Sequence, residues 1–278
     1  MNKAARGKIR DALLHELAGR RVLVMGILNV TPDSFSDGGK FDRLEPALEH
    51  AGDMRDAGAD ILDIGGESTR PDAIEVDARE EWQRVEPVLA ALGQESGLPL
   101  SIDTYKARVA HNAAELGAVV INDVWGMTRD PDMPKAVAET GSLVVATYNR
   151  GAADPSLDLR ADMAAFVNET YARATQYGIP HEHLIFDPGV GFSKTYEQNL
   201  QALANLDILV DTGRPVLVGV SRKSFIGRMT GRPVEERLSG TLAVGLKAVQ
   251  LGAKVLRVHD VAQHRDAVDL YCEMTNYR

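Results

Sequence analysis

Apolar runs recur along the chain, and each one stops at a polar residue: RVLVMGILN, DILDIGG, LPLSIDT, AVVINDV, SLVVATYN, HLIFDPG, PVLVGVS and KVLRVHD. Between them lie stretches with helical character, including Leu44 to Ala57, Asp77 to Gly93, Ala107 to Leu116, Leu159 to Tyr177 and Leu238 to Leu251. Several are followed by glycine, where a helix C-cap calls for one. Strand and helix in regular alternation imply parallel strands joined by crossover helices. Eight such repeats in 278 residues predict an α/β protein with a single (β/α)8 barrel (TIM barrel) domain over residues 21–278, preceded by an N-terminal extension, residues 1–20. A doubly wound open sheet is the alternative. It usually has fewer parallel strands and a Gly-rich first turn, and neither is present.

The strand ends carry the candidate chemistry, because catalytic groups of a barrel sit where the strands finish and converge on one mouth. Those ends are Asn29, Asp63, Asp103, Asn122, Tyr148 with Asn149, Asp187, Ser221 with Arg222 and Lys223, and Arg257 with His259. Any one Asn or Asp there could be a turn former or a helix cap. Their joint occurrence at every strand end is what points to a site. Carboxylates and carboxamides without cysteine, and with little histidine, do not suit a transition metal. They suit a nitrogen-rich heterocycle, whose N–H edge a carboxylate meets with two parallel hydrogen bonds. Asp187 in FDPGVGF is the foremost candidate, since Pro188 and Gly189 fix the backbone behind it.

Cations gather at other ends: Arg70 in GGESTRP, Lys223 in SRKS, and Arg257 and His259 in RVHD. On a chain of net charge −9 they form a local positive patch suited to a phosphate or diphosphate. The competing role for Arg257 and His259 is a salt bridge to a neighbour such as Asp260. VTPDSFSDGG and ESTRPDA are long for strand-to-helix connections and mix hydroxyls, acids and turn residues.

The net charge also argues against nucleic acid as a partner. A lone cysteine, Cys272, fits a reducing compartment and a packing role. The N-terminus lacks the apolar stretch of a secretory signal, and no segment has the roughly 20 apolar residues of a membrane span, so a cytoplasmic protein without membrane contact is expected.

Two segments, MGILNVTPDSFSDGG and ILDIGGESTRP, resemble the signature segments of the dihydropteroate synthase family. The resemblance continues through SIDTYK, VINDVWG, FDPGVGFSK, LVGVSRKSFIG and VLRVHD. It implies a barrel that joins 6-hydroxymethyl-7,8-dihydropterin diphosphate to 4-aminobenzoate in folate biosynthesis, with Mg²⁺ as cofactor, assembly as a homodimer and sulfonamides as inhibitors. Carried over by position, Asp103, Asn122, Asp187 and Lys223 hold the pterin, with Asp63 lining the same pocket. Asn29, Arg70, Arg257 and His259 match the diphosphate region, with Asn29 on the metal. Ser224, Phe35 and Thr69 match the aminobenzoate pocket. The resemblance implies catalytic roles for Asn29, Asp103, Lys223, Arg257 and His259.

There are departures from the family pattern. Thr147, Tyr148 and Asn149 stand where Met-His-Met is usual, Tyr105 stands where serine is usual, and the second segment reads STRPDA where glycine commonly follows the proline. Alternation along the strand turns Tyr148 away from Thr147 and Asn149. Two other functions compete: a related pterin-binding barrel without synthase activity, such as a methyltetrahydrofolate-binding domain, and a barrel that only sequesters a pterin.

Overall fold

A computed structural model describes residues 3–31, 44–68 and 75–275. The chain begins with α1 (Lys3–Ala18), β1 (Leu23–Asn29), α2 (Leu44–Asp56), β2 (Ile61–Gly65), α3 (Ala78–Glu95), β3 (Leu100–Asp103), α4 (Ala107–Leu116), β4 (Ala118–Asp123) and α5 (Met133–Thr140). It continues with β5 (Leu143–Thr147), α6 (Leu159–Tyr177), β6 (Leu184–Asp187), α7 (Tyr196–Ala204), α8 (Asp207–Val210) and β7 (Leu217–Val218). The last elements are α9 (Ser224–Thr230), α10 (Leu238–Gln250), β8 (Val255–Val258) and α11 (Val261–Thr275).

The eight strands form one sheet in the order β6-β5-β4-β3-β2-β1-β8-β7. Every paired neighbour is parallel. The ends of this order meet through a bridge from Phe186 to Val216, where the Phe186 amide donates to Pro215 O at 3.0 Å. This is the (β/α)8 barrel that the alternation predicts. Asp158 caps α6 by accepting from the Ala161 amide, and Gly178 ends it with φ 71°, a left-handed conformation that favours glycine.

Alternation along each strand divides the apolar residues into two layers. Leu23, Met25, Ile61, Val120, Leu143, Val145, Ile185, Leu217 and Val255 pack together inside the barrel. Val24, Leu28, Ile64, Ile121, Val144, Ala146, Phe186 and Leu256 belong to the outer layer under the helices. Leu13 and Leu17 of α1 join the inner cluster, so the helix of the expected N-terminal extension closes the floor of the barrel. Each buried leucine contributes about 1.5–3 kcal/mol by leaving water. Arg6 and Arg10 fasten α1 to the carbonyls of Thr140 and Gly141, at the turn into β5.

The inward residues change from apolar to polar on going up the barrel. Register places Ile27 beside Asp63, Asp63 beside Ser101, Gly65 beside Asp103, Asp103 beside Asn122 and Thr147 beside Asp187. The apolar floor thus supports a polar mouth. No helix among the described residues is long and apolar enough to cross a membrane.

Candidate active site

Arg257 of β8 lies across the mouth and joins two strands on its far side. Its Nε donates to Asp63 Oδ2 at 2.6 Å and its Nη2 to Asp103 Oδ2 at 2.5 Å. Asn122 Nδ2 donates to the same Asp63 oxygen at 2.9 Å. Asp63 is fully buried, and its Oδ2 orients both the Asn122 amide and the Arg257 guanidinium. Asp260, the competing partner for Arg257, instead pairs with Arg222 at 2.5 Å.

Burial pushes the Asp103 carboxyl up to about 7; Arg257 opposes this, while Asp63 adds to it. Asp63 Oδ1, Asp103 Oδ1 and Ser101 Oγ are buried without a hydrogen-bond partner in the protein. Buried acceptors left in this state are costly, so three of them at one mouth form a surface suited to a ligand's N–H groups.

Asp187 and Lys223 form the opposite wall. Pro188 ends β6, and the Gly189 amide returns to donate to Asp187 Oδ1 at 2.6 Å, which sets the carboxylate's direction. Burial raises the Asp187 pKa, with Lys223 opposing. Burial lowers Lys223 to about 8, opposed by Asp187 and aided by Arg257. The Lys223 ammonium donates to Val190 O and lies 4.5 Å from the Phe192 ring centroid. Gly191, with φ 86°, makes room for it: a Cβ there would come within 2.9 Å of Lys223 Cδ. Arg222 has a left-handed φ of 57°, and this turn sends Arg222 to Asp260 while Lys223 enters the mouth.

His259 lies beyond Arg257. Ser221 Oγ accepts the His259 backbone amide at 3.2 Å and lies 2.9 Å from His259 Nδ1. The hydroxyl thus holds both the backbone and the ring of His259 and sets the direction of the imidazole at the mouth. Ser224 is exposed at the first residue of α9.

For a magnesium ion the relevant residue is Asn29, at the end of β1. A Cβ built on Gly65 would lie 3.5 Å from Asn29 Oδ1 and 3.7 Å from Asp103 Oδ2, so two hard oxygen donors flank one small space. No group of three or more His, Cys, Asp or Glu among the described residues could hold a metal ion. A sparse oxygen set of this kind fits Mg²⁺, which keeps waters and binds through one or two protein oxygens together with substrate phosphates.

The departing triplet divides as alternation requires. Thr147 pairs with Asp187 and faces inward with Leu143 and Val145. Tyr148 turns outward into the helix layer, where its hydroxyl donates to Asp162 Oδ2 at 2.5 Å and its ring lies 5.4 Å from Phe166. Asn149 ties two loops together by donating to Val124 O at 3.0 Å and accepting the Gly151 amide at 3.0 Å.

The mouth therefore brings together Asn29, Asp63, Asp103, Asn122, Asp187, Lys223, Arg257 and His259, all named from sequence. Phe35, Thr69 and Arg70 lie outside the described residues. Two groups escaped the sequence reading. Ser101 sits one inward position below Asp103 and could have been found by period two in LSID. Lys194 is a buried amine, lowered to about 7 by burial, that donates to the carbonyls of Tyr148, Gly189 and Phe192. It braces the β6 loop behind Asp187, and its place in GFSK gave no sign of that.

The site combines buried acceptors for a flat N–H-bearing ring with cations for an anion. The chain belongs to the pterin binding enzymes, a family that matches residues 25–259. Among its relatives, the dihydropteroate synthase of Bacillus subtilis (strain 168) is 49% identical over 243 residues, 87% of this chain and 85% of that protein. A Xanthomonas albilineans dihydropteroate synthase structure with 4-aminobenzoic acid superimposes with a TM-score of 0.88 at 45% identity, covering 92% of this chain and 93% of that one. Another structure of the Xanthomonas enzyme, in complex with 7,8-dihydropteroate, gives a TM-score of 0.84 at 42% identity over 94% and 98% of the two chains.

Proposed function

We propose that this chain is a transferase that condenses 6-hydroxymethyl-7,8-dihydropterin diphosphate with 4-aminobenzoate, giving 7,8-dihydropteroate and diphosphate. The observation that carries this is the pairing at one mouth of unpartnered buried acceptors, Asp63 Oδ1 and Asp103 Oδ1, with the cations Arg257 and Lys223. A pterin diphosphate requires both. A methyltetrahydrofolate-binding barrel has no diphosphate to release, so it would not account for Arg257, His259 and Lys223 gathered at one mouth.

In this reading Asp103, Asn122, Asp187 and Lys223 grip the pterin ring, and Asp63 holds Asn122 and Arg257 in place from below. Arg257, His259 and Asn29, with Arg70, receive the diphosphate. Ser224, with Phe35 and Thr69, receives the aminobenzoate. When bound at Asn29, Mg²⁺ supplies positive charge to the diphosphate oxygens. The bond from the pterin methylene carbon to the diphosphate oxygen breaks heterolytically. Arg257 and the His259 imidazole stabilise the charge that develops on the leaving oxygen. The carboxylates of Asp103 and Asp187 stabilise the cationic pterin left behind. The aminobenzoate nitrogen then attacks the methylene carbon and afterwards loses a proton to the released diphosphate or water. No side-chain nucleophile takes part, because the pterin ring itself carries the positive charge left on the methylene carbon until the amine attacks.

The proposal extends to a homodimer on the family resemblance, and to the cytoplasm on the single free cysteine, Cys272. Its test is diphosphate release by the purified protein with Mg²⁺ and the pterin diphosphate. Release should require 4-aminobenzoate, and release at the same rate without it would reject the condensation.

A further inference from the structure

Two loops meet behind the wall made by Asp187 and Lys223, and one amine joins them. Lys194 Nζ donates to Tyr148 O at 2.8 Å, to Gly189 O at 3.0 Å and to Phe192 O at 3.2 Å. An ammonium has three N–H groups, so all are used, one on the residue that follows β5 and two on the loop that follows β6. The amine also lies 4.2 Å from the centroid of the Tyr148 ring. The two loops are in close contact at the same point: a Cβ on Gly189, whose φ is 66°, would come within 2.0 Å of Tyr148 O, so only glycine fits there. Ser193, immediately before Lys194, has a left-handed φ of 46°, which is uncommon for serine. Strain of that kind persists only where the surroundings over-determine it, and the three bonds of Lys194 supply the constraint.

What this loop offers the mouth lies on the stretch between the bonded carbonyls. The Gly189 amide directs Asp187 Oδ1 at 2.6 Å, Val190 O accepts the Lys223 ammonium, and the Phe192 ring centroid lies 4.5 Å from the same ammonium. Asp187 is tied to the junction through its backbone as well, since its carbonyl accepts the Tyr148 amide at 2.9 Å. Asn199 of α7 adds one more bond, its Oδ1 accepting the Gly191 amide at 2.5 Å. Charge acts in the same direction: burial raises the Asp187 pKa, and the Lys194 charge is among the influences that oppose it, with those of Lys223 and Arg257.

We propose that Lys194 is a positioning residue for the pterin ring: by joining the residue after β5 to the loop after β6, it fixes the Asp187 carboxylate and the Lys223 ammonium in the directions that the ring requires. This rests on the function proposed above. It also gives the outward-turned Tyr148 a route to the mouth, through its carbonyl. Lys194 acts through Asp187 and Lys223, so its loss weakens binding of the ring and leaves the chemical step in place.

Lys194→Met removes the donors and keeps a side chain of similar reach. The expected result is a KM for pterin diphosphate raised about tenfold, the size of one lost hydrogen bond to a charged group, with kcat within about twofold of wild type. Amide hydrogen exchange over residues 189–193 should be faster in the variant. Lys194→Gln, which keeps two N–H donors on a shorter side chain, should recover part of the KM. A second pair of variants leaves the amine in place: Ser193→Gly, which keeps the left-handed turn, should stay near the wild-type KM, whereas Ser193→Val, which disfavours it, should raise the KM. An unchanged KM in Lys194→Met, or an equal rise in Lys194→Gln, overturns the positioning role. If Lys194→Met does not fold, equal KM values in the two Ser193 variants overturn it instead. Unchanged exchange over residues 189–193 in an active protein overturns the junction and leaves the proposed function standing. A wild-type protein that neither binds pterin diphosphate nor forms product rejects the proposed function, and the exchange comparison still decides on the junction.

Discussion

Replacing Arg257 with methionine removes the guanidinium that spans Asp63 and Asp103 and leaves a side chain of similar length. Two short charge-assisted bonds are lost, at 2.6 and 2.5 Å, from carboxylates that are 0% and 4% exposed. Deleting one member of a buried ion pair costs about 3–5 kcal/mol, because the remaining charge is left unpaired. Arg257 keeps 18% of its side-chain surface exposed, so water relieves part of this, and the lower figure, about 3 kcal/mol, is expected. The loss should depend on pH. Asp103 already titrates near 7 rather than 3.8, with burial as the main cause and Arg257 as the main opposing influence. A carboxyl raised on folding gives stability that is present below its unfolded pKa and lost as pH rises through the folded one. Without Arg257 the folded pKa rises further, so protonation rescues the variant at low pH. Urea denaturation at pH 6 and pH 8 should show the larger deficit at pH 8, and adding Asp63→Asn should recover part of it. A variant within about 1 kcal/mol of wild type at pH 8, or one more impaired at pH 6, would refute the reasoning, since a buried pair broken at one partner costs more than that.

Asp187→Asn can still accept the Gly189 amide but turns an NH₂ toward the pterin, so pterin affinity should fall by about 1.5–3 kcal/mol in calorimetry. Wild-type affinity would remove Asp187 from that role. Thr147→Met should change pterin affinity by about 1 kcal/mol with little effect on aminobenzoate, whereas Asn149→Met should mainly cost stability, about 1–2 kcal/mol for two lost hydrogen bonds. Paired ligand titrations and denaturation curves separate the two effects, and equal changes in pterin affinity would contradict it. The rate profile should be bell-shaped in kcat/KM, falling below about 7 as Asp103 takes a proton and above about 8 as Lys223 loses one. A flat profile from pH 5 to 10 would exclude both groups from the chemistry.

The barrel was legible because each strand states its own case locally, as an apolar run closed by a polar residue and followed by a helical stretch. The roles of those polar residues were legible only in part. Sequence placed Arg257 among the cations for phosphate, yet in the fold it first serves Asp63 and Asp103, partners 194 and 154 residues away. No local pattern encodes such a pairing; it arises from closure of the sheet. The nearby carboxylate, Asp260, goes to Arg222, because the left-handed φ there turns Arg222 away from the mouth. Helix α1 was hidden for a similar reason: Leu13 and Leu17 are its only buried residues, and they have a partner only once the barrel floor exists. Tyr148 was read correctly as opposed to its neighbours, since period two suffices for that, but its bond to Asp162 required α6 to be in place.

The most direct test of the central claim is mass-spectrometric analysis of the product formed from pterin diphosphate and ¹⁵N-labelled 4-aminobenzoate with Mg²⁺ present. If the buried acids hold the pterin while the cations release diphosphate, the label appears in 7,8-dihydropteroate, with one diphosphate released per molecule. Labelled aminobenzoate recovered unchanged from a folded protein that binds the pterin would contradict the synthase and leave a pterin-binding barrel in its place.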